Sequence, residues 1–294
     1  MSTFIKKKQE NSLPYSIRNA ILKDKKILEN LLFDGEFIHQ HMDWKSPIDW
    51  LGRQGFILAE KGEKVIGTLA CPEHLSKVAW LRLFAALDGN TLSEIWEPLW
   101  REMERFLSTN GVTSVVCLVT NYWFLQLLES SGFREINRVT SLILRNKEIM
   151  PPKMIDNYSL HPMKTEDLDQ VFEVDQLSFE PIWQNLLEDF QTAYQLSSSS
   201  TVIKYQGSIV GYQISTSTKL GTHLARLAVH PIHQRKGLGN WLLNDLIFSE
   251  SKKNHLMITV NTQKDNFQSI KLYQQAGFVF SGEVYPVYMV DLQK

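Results

Sequence analysis

Leu224-Ala225-Arg226-Leu227-Ala228-Val229-His230-Pro231-Ile232-His233-Gln234-Arg235-Lys236-Gly237-Leu238-Gly239-Asn240-Trp241-Leu242-Leu243 is the stretch that decides the reading of this 294-residue chain. It reads as strand, turn and helix. Leu224, Leu227 and Val229 make a short apolar strand, and Pro231 stops it because proline brings no N–H to a ladder. Gln234 to Gly239 form a loop in which Gly237 and Gly239 flank one leucine. Trp241, Leu242, Leu243, Leu246 and Ile247 then recur at helical spacing. A loop entering a helix in this way leaves several N–H groups without partners, all aimed at the positive end of the helix dipole. That is an anion site, with phosphate its usual occupant. Glycine at 237 and 239 lets the backbone approach a ligand with no Cβ in the way.

The loop has neither the Gly-Lys-Ser/Thr ending of a nucleotide triphosphatase nor the three-glycine spacing of a dinucleotide site. Gln234-Arg235-Lys236-Gly237-Leu238-Gly239 does match the (Gln/Arg)-x-x-Gly-x-(Gly/Ala) signature, and on it the chain resembles the GNAT superfamily of N-acetyltransferases. The resemblance implies that the anion is the pyrophosphate of acetyl-CoA, held by Gln234 to Gly239 with Asn240 at the start of the helix. A second motif supports it. Asn266-Phe267-Gln268-Ser269-Ile270-Lys271-Leu272-Tyr273-Gln274-Gln275-Ala276-Gly277-Phe278 resembles the family pattern Asn-x-x-(small)-x-x-Leu-Tyr-x-x-x-Gly-Phe. Asn266 also suits a helix N-cap, Gly277 a C′ residue, and Tyr273 a core position.

The same resemblance implies roles for individual residues. By it, Tyr273 stands beside the CoA sulfur and protonates the departing thiolate, help of a kind worth ~10²–10⁴ in rate. Leu227, Ala228 and Val229 would lend their backbone to the pantetheine arm while the neighbouring strand splays away. The N–H near Leu227 would face the thioester oxygen. Asn266 would belong to the cofactor-binding set. The general base stays open. The ribosomal-protein N-terminal alanine acetyltransferases use a glutamate five residues before the motif asparagine, and here that position is Asn261, which takes no proton. A water relay, His223, Glu180 and Asp175 are the alternatives.

A length of 294 residues suggests about two domains at roughly 150 residues each. After a polar tail over 1–12, the order of elements runs once through 13–147, crosses a polar linker over 148–157 with Pro151-Pro152 just inside it, and begins again over 158–294. Tyr158-Ser159-Leu160 echoes Tyr15-Ser16-Ile17, Ile209-Val210-Gly211 echoes Val65-Ile66-Gly67, and Asn266 with Gly277-Phe278 echoes Asn121 with Gly132-Phe133. The offset stays near ~144 residues, the mark of a duplicated domain. The fold expected is therefore α/β (α+β): two tandem GNAT-like domains, each a twisted, mixed and mostly antiparallel sheet flanked by helices. The first half has Leu87-Asp88-Gly89-Asn90 where the second has its glycine loop, and Leu128 where the second has Tyr273. It reads as a domain that lacks the phosphate cradle. Further expectations are a strand from Val78 to Ala86, a possible capping box at Thr91, a helix from Asn121 to Gly132 and a solvated His39-Gln40-His41.

A net charge of −1 gives no reason to expect a nucleic-acid or membrane partner. Lys6-Lys7-Lys8 is followed by polar residues and not by an apolar run, so it is no signal peptide. Cys71 and Cys117 make no disulfide framework, and a reducing cytoplasm is the expected setting. His223, His230 and His233 are interrupted by Pro231 and lack ligand spacing, so no metal is expected. The activity implied is acetyl transfer from acetyl-CoA to a primary amine, either a peptide N-terminus or a small molecule. Phe179 to Trp183 resembles the segment over the acceptor in the ribosomal-protein enzymes, and the tandem layout resembles mycothiol synthase, which acetylates a small amine. A CoA-responsive binding module without turnover is the alternative.

Overall fold

The computed structural model describes residues 15–72, 77–87, 92–145, 151–252 and 257–292. Its described strands form two sheets flanked by helices. The five-stranded sheet comes from the first half: β1 (Ser16–Asn19), β2 (Phe37–Gln40), β3 (Phe56–Lys61), β4 (Lys64–Ala70) and β6 (Leu83–Ala86), in the order β1-β3-β4-β6-β2. Every pairing in it is antiparallel. Phe56 to Ala59 are all buried, as a central strand covered on both faces requires. Two helices pack against this sheet, α1 (Lys25–Asp34) and α2 (Leu92–Thr109). At Gly67 a Cβ would lie 2.4 Å from Ile95 Cγ2, so helix α2 reaches the strand only because residue 67 has no side chain.

The nine-stranded sheet spans both halves. It adds β5 (Val78–Trp80), β7 (Ser114–Leu118), β8 (Arg134–Arg145), β9 (Tyr158–Pro162), β10 (Ser199–Tyr205), β11 (Ser208–Thr218), β12 (Gly221–Val229), β13 (Met257–Gln263) and β14 (Val279–Asp291). Their order is β5-β7-β14-β8-β13-β12-β11-β10-β9. The two long strands that end each half have crossed over. Strand β8 pairs with β13 of the second half, and β14 pairs with both β7 and β8. The remaining helices are α3 (Leu125–Ser130), α4 (Leu168–Ser178), α5 (Leu187–Leu196), α6 (Leu238–Lys252) and α7 (Phe267–Gln275). Helices α6 and α7 bury Leu243, Leu246, Ile247 and Tyr273 against Leu224, Ile258 and Val260 on one face of the sheet. Helices α4 and α5 bury Val171, Val174 and Phe190 against Tyr212, Ile214 and Ala228 on the other.

Three expectations need correction. The run from Val78 to Ala86 is two strands in two sheets. Leu81 N donates to Val116 O in one sheet, and the next amide, Arg82 N, donates to Ala70 O in the other, both at 2.8 Å. The chain therefore changes sheets between adjacent residues, which an unbroken apolar run does not announce. His39 is fully buried, not solvated. It lies on β2, stacks on Phe124 at 4.5 Å and sets Nε2 3.3 Å from Cys117 Sγ. The helix expected over Asn121–Gly132 begins as a tight 3₁₀ turn at Tyr122–Phe124 before α3. Asn121 does not cap it, because its amide Nδ2 donates instead to Ile38 O at 3.1 Å. The tail over 1–12, Asp88 to Asn90 and Thr91 with its capping box lie outside the described residues.

Candidate active site

The site is built where β12 and β13 part. They pair in parallel only at Thr222↔Ile258, His223↔Thr259 and Leu224↔Val260. Beyond Leu224 strand β12 keeps its partner on one edge, running to Gly211↔Val229 with β11. Its other edge, facing β13, has no ladder from Ala225 to Val229, although β13 continues to Gln263. The seam of the sheet is open there, with one row of peptide groups left for a ligand. The register with β11 slips between Ile214↔Arg226 and Ser215↔Leu224, so Ala225 is a bulge. A bulge shifts the side-chain alternation by one. Leu224 packs toward α6 and α7, while Arg226 and Ala228 face α4. Leu227 turns back toward α6, where it joins the apolar cluster around Leu238 and Trp241.

The glycine loop closes one end of this seam. Pro231–His233 form a 3₁₀ turn, and Gln234 Nε2 reaches back to Val229 O at 2.9 Å, tying loop to strand. Arg235 and Gly237 both have positive φ, +60° and +85°. The first amide of the turn to bond back within the chain is that of Trp241, to Gly237 O at 2.9 Å. The amides from Arg235 to Asn240 meet no acceptor among the described residues. Leu238 is buried, whereas Arg235, Lys236, Gly237 and Asn240 are exposed. Lys236 Nζ lies 3.3 Å from Tyr158 Oη. A Cβ on Gly239 would lie 3.5 Å from Leu272 Cδ2, an ordinary contact, so the protein itself does not demand glycine there. Ala228 and Val229 bury their side chains and can offer a ligand only their backbone. These features fit a pyrophosphate with an extended amide-bearing arm: free N–H groups at a helix N-terminus, continuous with an unpaired strand edge.

Tyr273 stands over the seam on the α6/α7 face. Its ring packs on Phe278 with centroids 5.7 Å apart, and burial pushes its hydroxyl well above the usual phenol range while the Arg226 charge pulls it back. The hydroxyl therefore stays protonated at neutral pH. It makes no hydrogen bond to any described residue, and it is not one of the sealed, unpartnered polar atoms. Asn266 caps its own helix, with Oδ1 accepting from Ser269 N at 3.1 Å.

On the opposite face the seam opens into a chamber of about 590 Å³. Both halves of the chain wall it. His41, Asp43, Trp80 and Arg82 come from the first half, and Trp183, His223, Asn261 and Gln263 from the second. Trp80 and Trp183 lie 5.6 Å apart and form an aromatic wall, with Trp80 Nε1 donating to Ile182 O at 3.1 Å. Two cations are already neutralised. Arg82 lies 2.8 Å from the Asp43 carboxylate. Arg226 donates from Nη2 to Asp175 Oδ1 at 2.5 Å and Oδ2 at 2.7 Å, and to Trp183 O at 2.7 Å. Its guanidinium also lies 3.5 Å over the Phe179 ring. Burial pushes the Asp175 carboxyl up and the Arg226 charge pulls it back. With its carboxylate engaged in this way, Asp175 is not a free base, and Glu180 is outside the chamber lining. His223 lines the chamber, its Nδ1 2.9 Å from Thr259 Oγ1, and burial lowers its pKa.

Sequence reasoning located the loop, strand β12, Asn266 and Tyr273. It missed the wall supplied by the first half, and it missed Arg226. An arginine within an otherwise apolar strand was the available signal, since a buried cation needs a partner. Among the described residues no group of three or more His, Cys, Asp or Glu side chains is placed to hold a metal ion, and no helix is long and apolar enough to cross a membrane.

An open parallel seam with an amide-lined loop at one end and a chamber at the other is the arrangement of an acyltransferase. Comparison with known proteins agrees with this class. Residues 168–278 match the model of the acetyltransferase (GNAT) family. A GCN5-related N-acetyltransferase from Sphaerobacter thermophilus superposes with a TM-score of 0.62 at 13% identity, covering 96% of each chain. A tandem GNAT protein from the clavulanic acid biosynthesis pathway gives 0.64 at 14% identity, over 95% of this chain and 99% of its own. A GCN5-related N-acetyltransferase from Anabaena variabilis gives 0.67 at 12% identity, over 95% of this chain and 73% of its own. At these identities the likeness establishes the tandem fold. No curated protein matches the chain.

Proposed function

We propose that the protein transfers the acetyl group of acetyl-CoA to a primary amine by direct attack, with Tyr273 as general acid. In this reading residues 13–147 are a half without a phosphate cradle, 148–157 a linker and 158–294 the cofactor-binding half. The pyrophosphate lies on the amides of Gln234 to Gly239 and Asn240, and the pantetheine arm along Leu227 to Val229. Asn266 acts through the helix it caps, as the start of the element that carries Tyr273. The observation that carries the reading is the opened seam. On one face of it lie the loop with its free amides and the helix that carries Tyr273, and on the other face lies the chamber. Donor and acceptor can then meet at the thioester from opposite sides.

The chamber also favours one acceptor class. A volume of about 590 Å³ is within the range of metabolite sites, roughly 300–1,000 Å³. The first half closes one side of the chamber with His41, Asp43, Trp80 and Arg82. A small amine with an apolar or aromatic body against Trp80 and Trp183 suits it better than a protein N-terminus. One observation favours a second reading, a CoA-responsive binder. Asn261, in the chamber lining, offers no proton acceptor at the position where the ribosomal-protein enzymes carry glutamate. Calorimetric titration with acetyl-CoA, followed by a screen of small amines and short peptides for free-thiol release, separates the readings. Binding without turnover on any amine supports the binder, and turnover only on peptides overturns the small-amine reading.

A further inference from the structure

The chamber holds one imidazole whose position nothing else in the site explains. His223 is on β12 immediately before the last paired residue, Leu224, so it stands at the point where the seam opens. Its side chain faces the chamber, opposite the α6/α7 face that carries Tyr273. Nδ1 lies 2.9 Å from the hydroxyl of Thr259, its cross-strand partner, which fixes the ring. Nε2 has no partner among the described residues and is not one of the sealed, unpartnered atoms. It is therefore the ring nitrogen open to the chamber, on the side from which an acceptor would come.

We infer that His223 is the general base, with Nδ1–H donating to Thr259 Oγ1 and Nε2 receiving the proton of the attacking amine. This rests on the reading of the open seam as the acetyl-CoA site. The step balances without another reactant. The amine nitrogen bonds to the thioester carbon while its proton passes to His223 Nε2. The C–S bond then breaks, and the thiolate takes a proton from the Tyr273 hydroxyl. His223 returns its proton to solvent and Tyr273 recovers one, so base and acid act from opposite faces of one sheet.

The surroundings keep the imidazole neutral. β13 presents Thr259 and Asn261 to it, and β11 presents Thr216, all uncharged. Among the chamber's charges, Arg226 is closed by Asp175 and Arg82 by Asp43. His41 contributes a neutral ring, its pKa held well below the usual value by burial and by Arg82. Glu283 and Tyr285 line the same chamber from β14. Burial lowers the pKa of His223, so the ring enters the reaction unprotonated at neutral pH.

The test uses acetyl-CoA with two small nucleophiles, water and hydroxylamine, so the natural acceptor need not be known. Hydroxylamine is uncharged at neutral pH and attacks thioesters with little help from a base. His223→Gln should lower acetyl-CoA hydrolysis by ~10²-fold and flatten its rise with pH, while hydroxylaminolysis falls far less. Acetyl-CoA affinity by calorimetry and the melting temperature should stay near wild type. In ¹⁵N spectra of wild type, the His223 ring, assigned by its loss in the variant, should carry its proton on Nδ1 at pH 7.5. A proton on Nε2, or unchanged hydrolysis in the variant, overturns the assignment. Failure of the wild-type protein to bind acetyl-CoA would instead strike the underlying reading of the seam.

Discussion

Replacing Tyr273 by phenylalanine separates chemistry from packing. The ring is buried and packs on Phe278, and phenylalanine preserves that contact. The hydroxyl bonds to no described residue, so removing it leaves no orphaned donor or acceptor inside the protein. Stability should therefore change by no more than about 1 kcal/mol, within the usual range for a loss with no packing defect. Catalysis should change much more. Loss of a positioned acid costs ~10²–10⁴ in rate, and a thiolate is a fair leaving group, which places the expected fall in kcat near the lower end, ~10². Because burial holds the phenol protonated, wild-type activity should show no loss from Tyr273 ionisation up to the edge of the alkaline range. The assay is thiol release from acetyl-CoA at saturating cofactor, with affinity measured separately by calorimetry. An unchanged kcat would mean that solvent or another group protonates the thiolate. A collapse of affinity would mean that the hydroxyl holds the cofactor. A large fall in melting temperature would return Tyr273 to the core.

Gly237→Val should abolish acetyl-CoA binding in calorimetric titration while the fold survives, since φ of +85° is costly for a branched residue by about 1–2 kcal/mol and the new Cβ would meet Ile155 Cδ1 at 3.4 Å. Titration of the full chain should find one equivalent of acetyl-CoA, because Leu87-Asp88-Gly89-Asn90 supplies no glycine cradle, and two equivalents would refute a first half without a cofactor site. The protein should lose stability as pH falls below about 6.5. Burial holds His39 down to about 3, so the unfolded chain takes up the proton first, and stability is full above the unfolded value and lost below it. By pH 4.5 this amounts to about 3 kcal/mol for a shift of that size, and the melting temperature of His39→Phe should fall less steeply with acid than that of wild type.

Much of the second half was legible because its signals are local. The loop, the cap at Asn266 and the Gly277-Phe278 ending each depend on a few neighbouring residues and on backbone rules that hold in any context. The exchange of β8 and β14 was not legible, because it concerns which long strand lies beside which. Strand β14 pairs with β7 and with β8, and nothing in its own alternation prefers a partner from its own half. The turn at Leu81 failed for the same reason. Its amide and that of Arg82 choose acceptors in different sheets, a tertiary choice that periodicity does not encode. His39 was misread because the polar run His39-Gln40-His41 resembles surface. Only the pairing of β2 with β6 brings it under Phe124.

The exchanged strands also explain why the first half has a place in the site. Strand β8 lies against β13 and contributes Val139 and Ser141 to the chamber, while β14, lying beyond it, contributes Glu283 and Tyr285. Trp80 and Arg82 reach the same space because the chain changes sheets between them. The first half thus supplies one wall of the chamber. The bulge at Ala225 does the complementary work. It takes up Ala225 so that Arg226 stays opposite Ile214 and faces α4, where it ties Asp175 and the Trp183 carbonyl together, while Leu227 faces α6. The anchoring of the segment carrying Trp183 therefore rests on Arg226 facing α4, whereas His223, before the bulge, is set opposite Leu224 and the Tyr273 face by ordinary strand alternation.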